Sequence, residues 1–174
     1  MVVIYMRHSD DTIPHGDHPT FKHDQRINKS GRKLAKRRAK DVVSQFGKPD
    51  IIYCSPFLRA RETCEEMKKI FGSRSAGPAY RIDSALSRFF TDTERKHYSV
   101  DTETLKYKPP INESHKSYRK RCLRHFKKME QRGFLKEKVV LCITHAVVLK
   151  QIAKYAKVTL PEHYDFMETF AIQE

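Results

Sequence analysis

The stretch VVIYMRHSD, residues 2–10, decides how the fold begins. Val2 to Met6 form a short run of apolar, mostly β-branched or aromatic side chains, which is typical of a buried strand. Arg7 and His8 follow directly, and polar residues continue after them. The stretch therefore predicts a buried strand whose carboxyl end presents an arginine and a histidine side by side.

The rest of the chain alternates strands with helices. Further apolar runs predict strands at 50–55 (DIIYCS), 139–144 (VVLCIT) and, as an edge strand, 166–172. Apolar residues at helical spacing predict helices over 31–46, 56–72, 114–132 and 145–156. The segment between the second and third helices, 73–114, is interpreted as irregular. Alternation of this kind predicts an α/β domain with a mostly parallel sheet.

Composition and charge limit the function without deciding it. The 174 residues are 39% hydrophobic, which suits one globular domain over 1–174, and no linker or repeat divides them. The formal net charge of +14 implies attraction to polyanions or to anionic substrates. Charge alone does not separate a nucleic-acid binder from an enzyme whose substrate carries phosphate.

The expected compartment is the cytoplasm. No apolar run approaches the roughly 20 residues that span a bilayer, so we expect no membrane contact. The stretch MVVIYMRHS has neither the basic segment nor the apolar length of a signal peptide. The four cysteines show no CxxC spacing, which predicts reduced thiols and no zinc cluster.

Candidate functional residues follow the predicted central strands. In an open parallel sheet, ligands bind in the crevice at the carboxyl ends of the strands. The polar residues at these ends are Arg7 and His8, then Ser55 with Arg59 one turn into the next helix, then Thr144 and His145. Two histidines and two arginines are therefore expected to converge on one edge from distant parts of the chain.

An edge of this kind suits phosphate chemistry. Guanidinium groups fork onto phosphate oxygens and stay charged at any working pH. Helix N-termini near Pro56 and His145 add backbone donors for an anion. A histidine held in one tautomer can attack phosphorus through its free ring nitrogen, while the arginines clamp the transferring phosphoryl group.

The chain resembles the histidine phosphatase superfamily, also called phosphoglycerate mutase-like, in the stretches MRHSD (6–10), SPFLRARET (55–63) and ITHA (143–146). Weaker landmarks are INKSG before the first helix and NES before the long helix. These stretches occur in the family order and cover most of the chain. The MRH-x-D start and SPFLRA are most similar to the small phosphohistidine phosphatases of that superfamily.

The resemblance implies a fold, a reaction and a site. The fold would be a three-layer α/β/α sandwich whose mostly parallel sheet has an antiparallel edge strand. His8 would be the nucleophile that carries a phosphohistidine intermediate, and Arg7, Arg59 and His145 would line the phosphate pocket. Ser55, from its place after the second strand, is a further candidate phosphate ligand. The family needs no metal or organic cofactor for this step.

The chain departs from the family pattern at the proton donor. Mutase and broad phosphatase branches carry a glutamate in a leucine-x-glutamate stretch, and the matching segment, 86–88, ends in Arg88. A proton donor for the leaving group contributes about 10²–10⁴ in rate. The carboxylates that could serve instead are Asp10, Asp92 and Glu94. Ser9 also stands where the family usually has glycine.

Two stretches invite other interpretations. The first loop holds His15, His18 and His23 with Asp17 and Asp24, which suggests a metal site, although the HGDH spacing is not specific and a mobile loop over the substrate is favoured. The basic stretches KSGRKLAKRRAK (29–40) and YRKRCLRHFKK (118–128) suggest nucleic-acid contact. Solvated faces of amphipathic helices are favoured for both.

The leading prediction is a phosphatase that acts through His8 on a phosphoprotein, a nucleotide or a small phosphate ester. One alternative is a phosphoglycerate mutase-type phosphotransferase, which needs a defined acid where the chain has Arg88. The other is a catalytically weak module on the same fold that holds phosphorylated or nucleic-acid partners.

Overall fold

A five-stranded sheet forms the centre of the structure, a computed structural model that describes residues 1–11, 24–72, 77–131, 139–162 and 165–173. Its strands are β1 (Val2–Arg7), β2 (Ile51–Cys54), β3 (Ala79–Ile82), β4 (Val139–Thr144) and β5 (Thr169–Gln173). Their spatial order is β3-β2-β4-β1-β5, and all neighbours are parallel except the antiparallel pair of β1 and β5. The predicted mostly parallel sheet with an antiparallel edge strand is confirmed.

Helices cover both faces of this sheet. They are α1 (Lys29–Phe46), α2 (Leu58–Phe71), α3 (Asp92–His97), α4 (Thr102–Leu105), α5 (His115–Gln131) and α6 (Ala146–Ala156). On one face, strand residues such as Ile4 and Ile52 pack against apolar side chains of α1 and α2. On the other face, Tyr5 and Cys142 pack against α5 and α6. The three-layer α/β/α sandwich is therefore confirmed.

The middle of the chain differs from the prediction. The described part of 73–114 contains β3, a 3₁₀ turn at Ser84–Leu86, α3 and α4, so the irregular interpretation is wrong there. β3 has four residues (AYRI), and none of them is buried. A strand this short and this exposed leaves no periodic signal in the sequence. It is ordered by parallel pairing with β2, which the sequence does not reveal.

The strand order brings three strand ends to one edge. β2, β4 and β1 are neighbours, and the ladder continues past their last residues. The N–H of His8 donates to the carbonyl of Thr144 at 2.8 Å, and the N–H of Ser55 donates to the carbonyl of Ile143 at 3.0 Å. These bonds fix the backbone of the residues that carry the candidate side chains.

The basic stretch 29–40 lies on α1 and is amphipathic, as expected. Ala35 and Ala39 are fully buried against the sheet. Arg32 on the outer side pairs with Glu62 and Glu66 of α2, with N–O distances of 3.2 and 3.1 Å. The neighbouring helix thus neutralises part of this charge. Nucleic-acid contact through α1 stays a prediction, which salt-dependent retention on RNA or DNA would test.

The sequence also predicts reduced cysteines and no membrane contact. The four cysteines are free thiols, and each is buried in the core, where a thiol behaves as a small apolar side chain. Within the ranges that the structure describes, no helix is both long enough and apolar enough to cross a membrane.

Candidate active site

His8 has a single defined tautomer. It follows β1, and only 5% of its surface is exposed. Its Nδ1 lies 2.8 Å from the carbonyl oxygen of Ser9, and because a carbonyl can only accept, Nδ1 carries the hydrogen. Burial, reinforced by Arg59 and Arg7, lowers the pKa of His8 well below its usual value. His8 is therefore a neutral imidazole with a lone pair at Nε2.

Arg59 places a guanidinium group against that lone pair. It is 3% exposed and lies in the first turn of α2. Its Nε donates to His8 Nε2 at 3.2 Å, and its Nη1 donates to the hydroxyl of Tyr98 at 3.3 Å. Asp24 secures the start of α2, because its carboxylate accepts from the N–H of Leu58 at 3.0 Å. A buried cation is thus held beside the histidine nitrogen.

His145 and Ser55 complete the edge of the sheet. The rings of His145 and His8 have centroids 5.1 Å apart. The Nε2 of His145 lies 2.8 Å from the hydroxyl oxygen of Ser55, and its Nδ1 has no hydrogen-bond partner among the described residues. Burial, with a further contribution from Arg59, lowers the pKa of His145 well below its usual value. Both histidines are therefore neutral at pH 7.

Arg7 closes the site on the side of residues 165–168. Its guanidinium carbon lies 4.2 Å from the centroid of the Phe166 ring, and the Phe166 and His8 rings are 5.9 Å apart. The charge of Arg7 also contributes to the lowered pKa of His8. The structure thus brings Arg7, Arg59, Ser55 and His145 around His8. Their roles in binding phosphate stay a prediction.

Ser9, which stands where the family usually has glycine, anchors the loop after β1. Its N–H donates to Thr63 Oγ1 at 2.9 Å, and its hydroxyl donates to the carbonyl of Gly31 at 2.7 Å. The backbone at Asp10 approaches α1 so closely that a Cβ on Gly31 would lie 2.3 Å from the Asp10 carbonyl oxygen. Glycine at 31 is therefore needed for the contact that positions the loop carrying His8.

We expect Gly31→Ala to destabilise the protein by about 1–3 kcal/mol in urea unfolding, since the loop must move to admit the methyl group. Helix propensity alone predicts the opposite sign, a gain of about 1 kcal/mol. Lys33→Ala, on the exposed side of α1, serves as the control and should change the free energy of unfolding by about 0.5 kcal/mol or less. A stabilised Gly31→Ala variant would contradict the close approach.

The carboxylates named from the sequence as proton donors each bond to side chains other than His8. The carboxylate of Asp10 accepts from the hydroxyl of Ser30 at 2.6 Å, at the start of α1. Asp92 is 90% exposed and pairs with Arg95. Glu94 forms a capping box with Thr91 at the start of α3 and pairs with Arg88. None of these three carboxylates has a described contact with His8.

Two charged residues near His8 were not assigned to the site from the sequence. Asp11 is 15% exposed, and its Oδ2 lies 3.5 Å from Arg59 Nε, the same nitrogen that contacts His8. Arg88 is the second, and its charge adds to the lowered pKa values of His8 and His145. The doubled aspartate in MRHSDD was the only sequence signal for Asp11, and it does not say which carboxylate turns inward.

Arg88 is held at the site by the loop after the 3₁₀ turn. The carbonyl of Leu86 accepts from Thr144 Oγ1 at 2.7 Å, which ties this loop to the end of β4. The guanidinium group of Arg88 lies 4.5 Å from the Phe90 ring centroid and 5.4 Å from that of Tyr98. Arg88 and Arg59 therefore both contact Tyr98.

The metal interpretation of the first loop falls mostly on residues that the structure does not describe. His15, His18, His23 and Asp17 lie outside the described residues. Asp24, the remaining member of that set, is bound to the N-terminus of α2. Among the residues that the structure does describe, no three histidine, cysteine or acidic side chains are grouped to hold a metal ion.

Comparisons with known proteins identify the family of this chain. The family model described as histidine phosphatase superfamily (branch 1) matches residues 3–171. No curated protein sequence matches the chain. Among solved structures, the protein histidine phosphatase SixA complexed with tungstate is similar over 99% of this chain and 88% of that one, with a TM-score of 0.66 and 16% identity.

Two other solved structures show how widely this fold is used. The ecdysone phosphate phosphatase of Bombyx mori is similar over 99% of this chain and 89% of that one, with a TM-score of 0.62 and 18% identity. A phosphoglycerate mutase from Plasmodium falciparum is similar over 91% and 76%, with a TM-score of 0.59 and 19% identity. At these identities the likeness shows the fold alone.

Proposed function

The chain belongs to the histidine phosphatase superfamily, and we propose that it is a phosphatase that hydrolyses phosphomonoesters or phosphoramidates through a phosphohistidine on His8. The observation that supports this most strongly is the state of His8. A buried, neutral imidazole has its Nε2 lone pair 3.2 Å from the Nε of Arg59. A nucleophile and a cation for the phosphoryl oxygens therefore meet at one point.

In the first step, His8 Nε2 attacks phosphorus and the bond to the leaving group breaks. The Ser9 carbonyl holds Nδ1–H and so stabilises the positive charge that the ring gains. Arg59 releases its contact with Nε2 and takes a phosphoryl oxygen instead. Water then attacks the phosphohistidine, the P–N bond breaks, and inorganic phosphate leaves.

His145 would donate to the phosphoryl group through Nδ1. Its Nε2 faces the Ser55 hydroxyl at 2.8 Å, and a hydroxyl can donate to it. In that tautomer Nδ1 carries the hydrogen and has no hydrogen-bond partner among the described residues. Since the pKa of His145 is well below its usual value, it acts as a neutral donor and not as an acid. Ser55 then fixes the tautomer of His145.

The substrate is proposed to carry a second anionic group beside the phosphoryl group. Arg7 and Arg59 suffice to neutralise a phosphate dianion, and Arg88 adds a third guanidinium group at the same site. Glu94 is the described carboxylate that pairs with Arg88. A phosphoprotein with acidic neighbours, or a nucleotide, would offer a second anion to take the place of Glu94 on Arg88.

We expect Arg88→Ala to raise the KM for an acidic phosphopeptide about 10–100-fold, which corresponds to losing a hydrogen bond to a charged group. The KM for nitrophenyl phosphate, which has no second anionic group, should stay close to that of wild type. The control is Arg95→Ala, which removes an arginine that pairs with exposed Asp92. Equal changes for both substrates would contradict a role in specificity.

A substrate panel tests the proposed function. The purified protein is assayed on nitrophenyl phosphate, a phosphohistidine peptide and nucleotides, and release of inorganic phosphate is measured. Turnover of at least one is expected, and turnover of none would contradict the proposal. Strong, salt-dependent retention on RNA or DNA in the absence of turnover would favour the binding-module alternative instead.

The same panel separates the phosphatase from a mutase. A mutase returns the phosphoryl group to an acceptor hydroxyl, so phosphate appears on the acceptor and not in solution. It needs a defined acid, and Arg88 occupies the matching position of the sequence. Release of inorganic phosphate that is unchanged by added phosphoglycerate is the result expected for the phosphatase.

A further inference from the structure

The proposed reaction requires a proton donor that the family pattern does not supply in this chain. An alkoxide leaving group must receive a proton as its bond to phosphorus breaks, whereas a nitrophenolate can leave without one. Arg88 at the matching position stays protonated throughout and cannot transfer a proton. The donor must therefore be another group close to the nucleophile.

Asp11 is the carboxyl group that the structure places there. Its Oδ2 is 3.5 Å from Arg59 Nε, and the same Nε is 3.2 Å from His8 Nε2. This N–H is the group proposed to take a phosphoryl oxygen. A phosphorus atom whose oxygen binds Arg59 Nε is therefore within reach of both the nucleophile and the Asp11 carboxyl group.

We propose that Asp11 is the general acid and base of this site, an inference that rests on the proposed function of His8. In the first step, the P–O bond breaks with its electron pair on the leaving oxygen, and Asp11 gives that oxygen its proton. The alcohol leaves and Asp11 becomes a carboxylate. In the second step, Asp11 takes a proton from the attacking water. The P–N bond breaks with its electron pair on His8 Nε2, so both groups return to their initial states.

The surroundings of Asp11 suit a proton donor. Burial is the largest influence and raises its pKa, and the adjacent carboxylate of Asp10 acts in the same direction. Arg59 from α2 and Arg7 from β1 act in the opposite direction, and the net shift is upward. When a phosphate dianion occupies these two arginines, their charge is neutralised and the dianion disfavours the carboxylate. Substrate binding thus raises the pKa of Asp11 further.

The first experiment compares leaving groups in wild type and Asp11→Asn. The measured quantity is kcat/KM for dinitrophenyl, phenyl and alkyl phosphates. We expect Asp11→Asn to lose about 10²–10⁴ on the alkyl ester and about tenfold or less on dinitrophenyl phosphate. In Asp11→Asn, kcat/KM therefore depends more steeply on the acidity of the leaving group than it does in wild type. An equal loss on all three esters would overturn the inference, because a structural role predicts that result.

The matched control is Asp10→Asn, which alters the neighbouring carboxylate that bonds Ser30. A leaving-group-dependent loss in Asp10→Asn but not in Asp11→Asn would overturn the assignment. These variants also distinguish a failure of the proposed role of Asp11 from a failure of the proposed function. If His8→Ala abolishes turnover while Asp11→Asn shows a uniform loss, only the role of Asp11 fails.

A pH series on wild type tests the inference without a variant. Because Asp11 donates only while protonated, the ratio of kcat/KM for the alkyl ester to that for dinitrophenyl phosphate should fall as pH rises through the pKa of Asp11. His8 affects both substrates equally, so its titration cancels in the ratio. A ratio that is independent of pH would contradict a proton-donating Asp11.

Discussion

His8→Ala is expected to abolish phosphatase turnover, with a loss of about 10⁴-fold or more in kcat, as for the removal of other covalent nucleophiles. No other described imidazole has its lone pair directed at the Arg59 guanidinium group. His145, the nearest histidine ring, has Nε2 bound to Ser55. The measurement is the initial rate of phosphate release from nitrophenyl phosphate.

The control for this variant is His115→Ala, because His115 is an exposed histidine on α5. It should keep the wild-type rate. His8→Gln, which retains a polar side chain of similar reach, should be as inactive as His8→Ala and should melt close to wild type. Turnover by His8→Ala at the wild-type rate would contradict a covalent role for His8.

Arg59→Ala is expected to lower kcat/KM by about 10³-fold, in the range found when a donor to a transferring group is removed. The variant loses the buried cation that touches His8 Nε2 and approaches Asp11. Arg59→Lys restores the charge without the planar fork, so it should recover only part of the loss. Steady-state kinetics on nitrophenyl phosphate provide the measurement.

Arg61→Ala is the matched control for Arg59, since Arg61 is on the same helix but stacks on the Tyr107 ring. It should stay within about threefold of wild type, because surface substitutions away from a site have small effects. Arg59→Ala should also raise the pKa of His8, because the charge of Arg59 is the largest influence on that pKa after burial. A kcat/KM for Arg59→Ala within tenfold of wild type would contradict the proposed phosphate contact.

The central strands could be predicted because they are continuous apolar runs, and the long helices because their apolar residues recur at helical spacing. β1, β2 and β4 are buried and read as continuous apolar runs. β3 could not be predicted in the same way. It is an exposed edge strand of four residues, and its pairing with β2 is a long-range interaction with no local signal.

The convergence of His8, Arg59 and His145 followed from one topological rule, that ligands bind at the carboxyl ends of parallel strands. The orientation of side chains in the loops could not follow from it. Asp10 turns to Ser30 and Asp11 turns to Arg59, although both directly follow Ser9 in sequence. Both contacts are tertiary, with partners on α1 and α2 that are at least 20 residues away in sequence.

Detection of phosphohistidine on His8 tests the central claim most directly. Wild-type protein is mixed with a labelled phosphomonoester, quenched in base within one turnover and digested, and the peptide that contains residues 7–10 is analysed. We predict an acid-labile, base-stable phosphate on His8 that forms and decays at the rate of turnover and is absent from His8→Ala. Turnover without this label, or a label on another residue, would contradict the account.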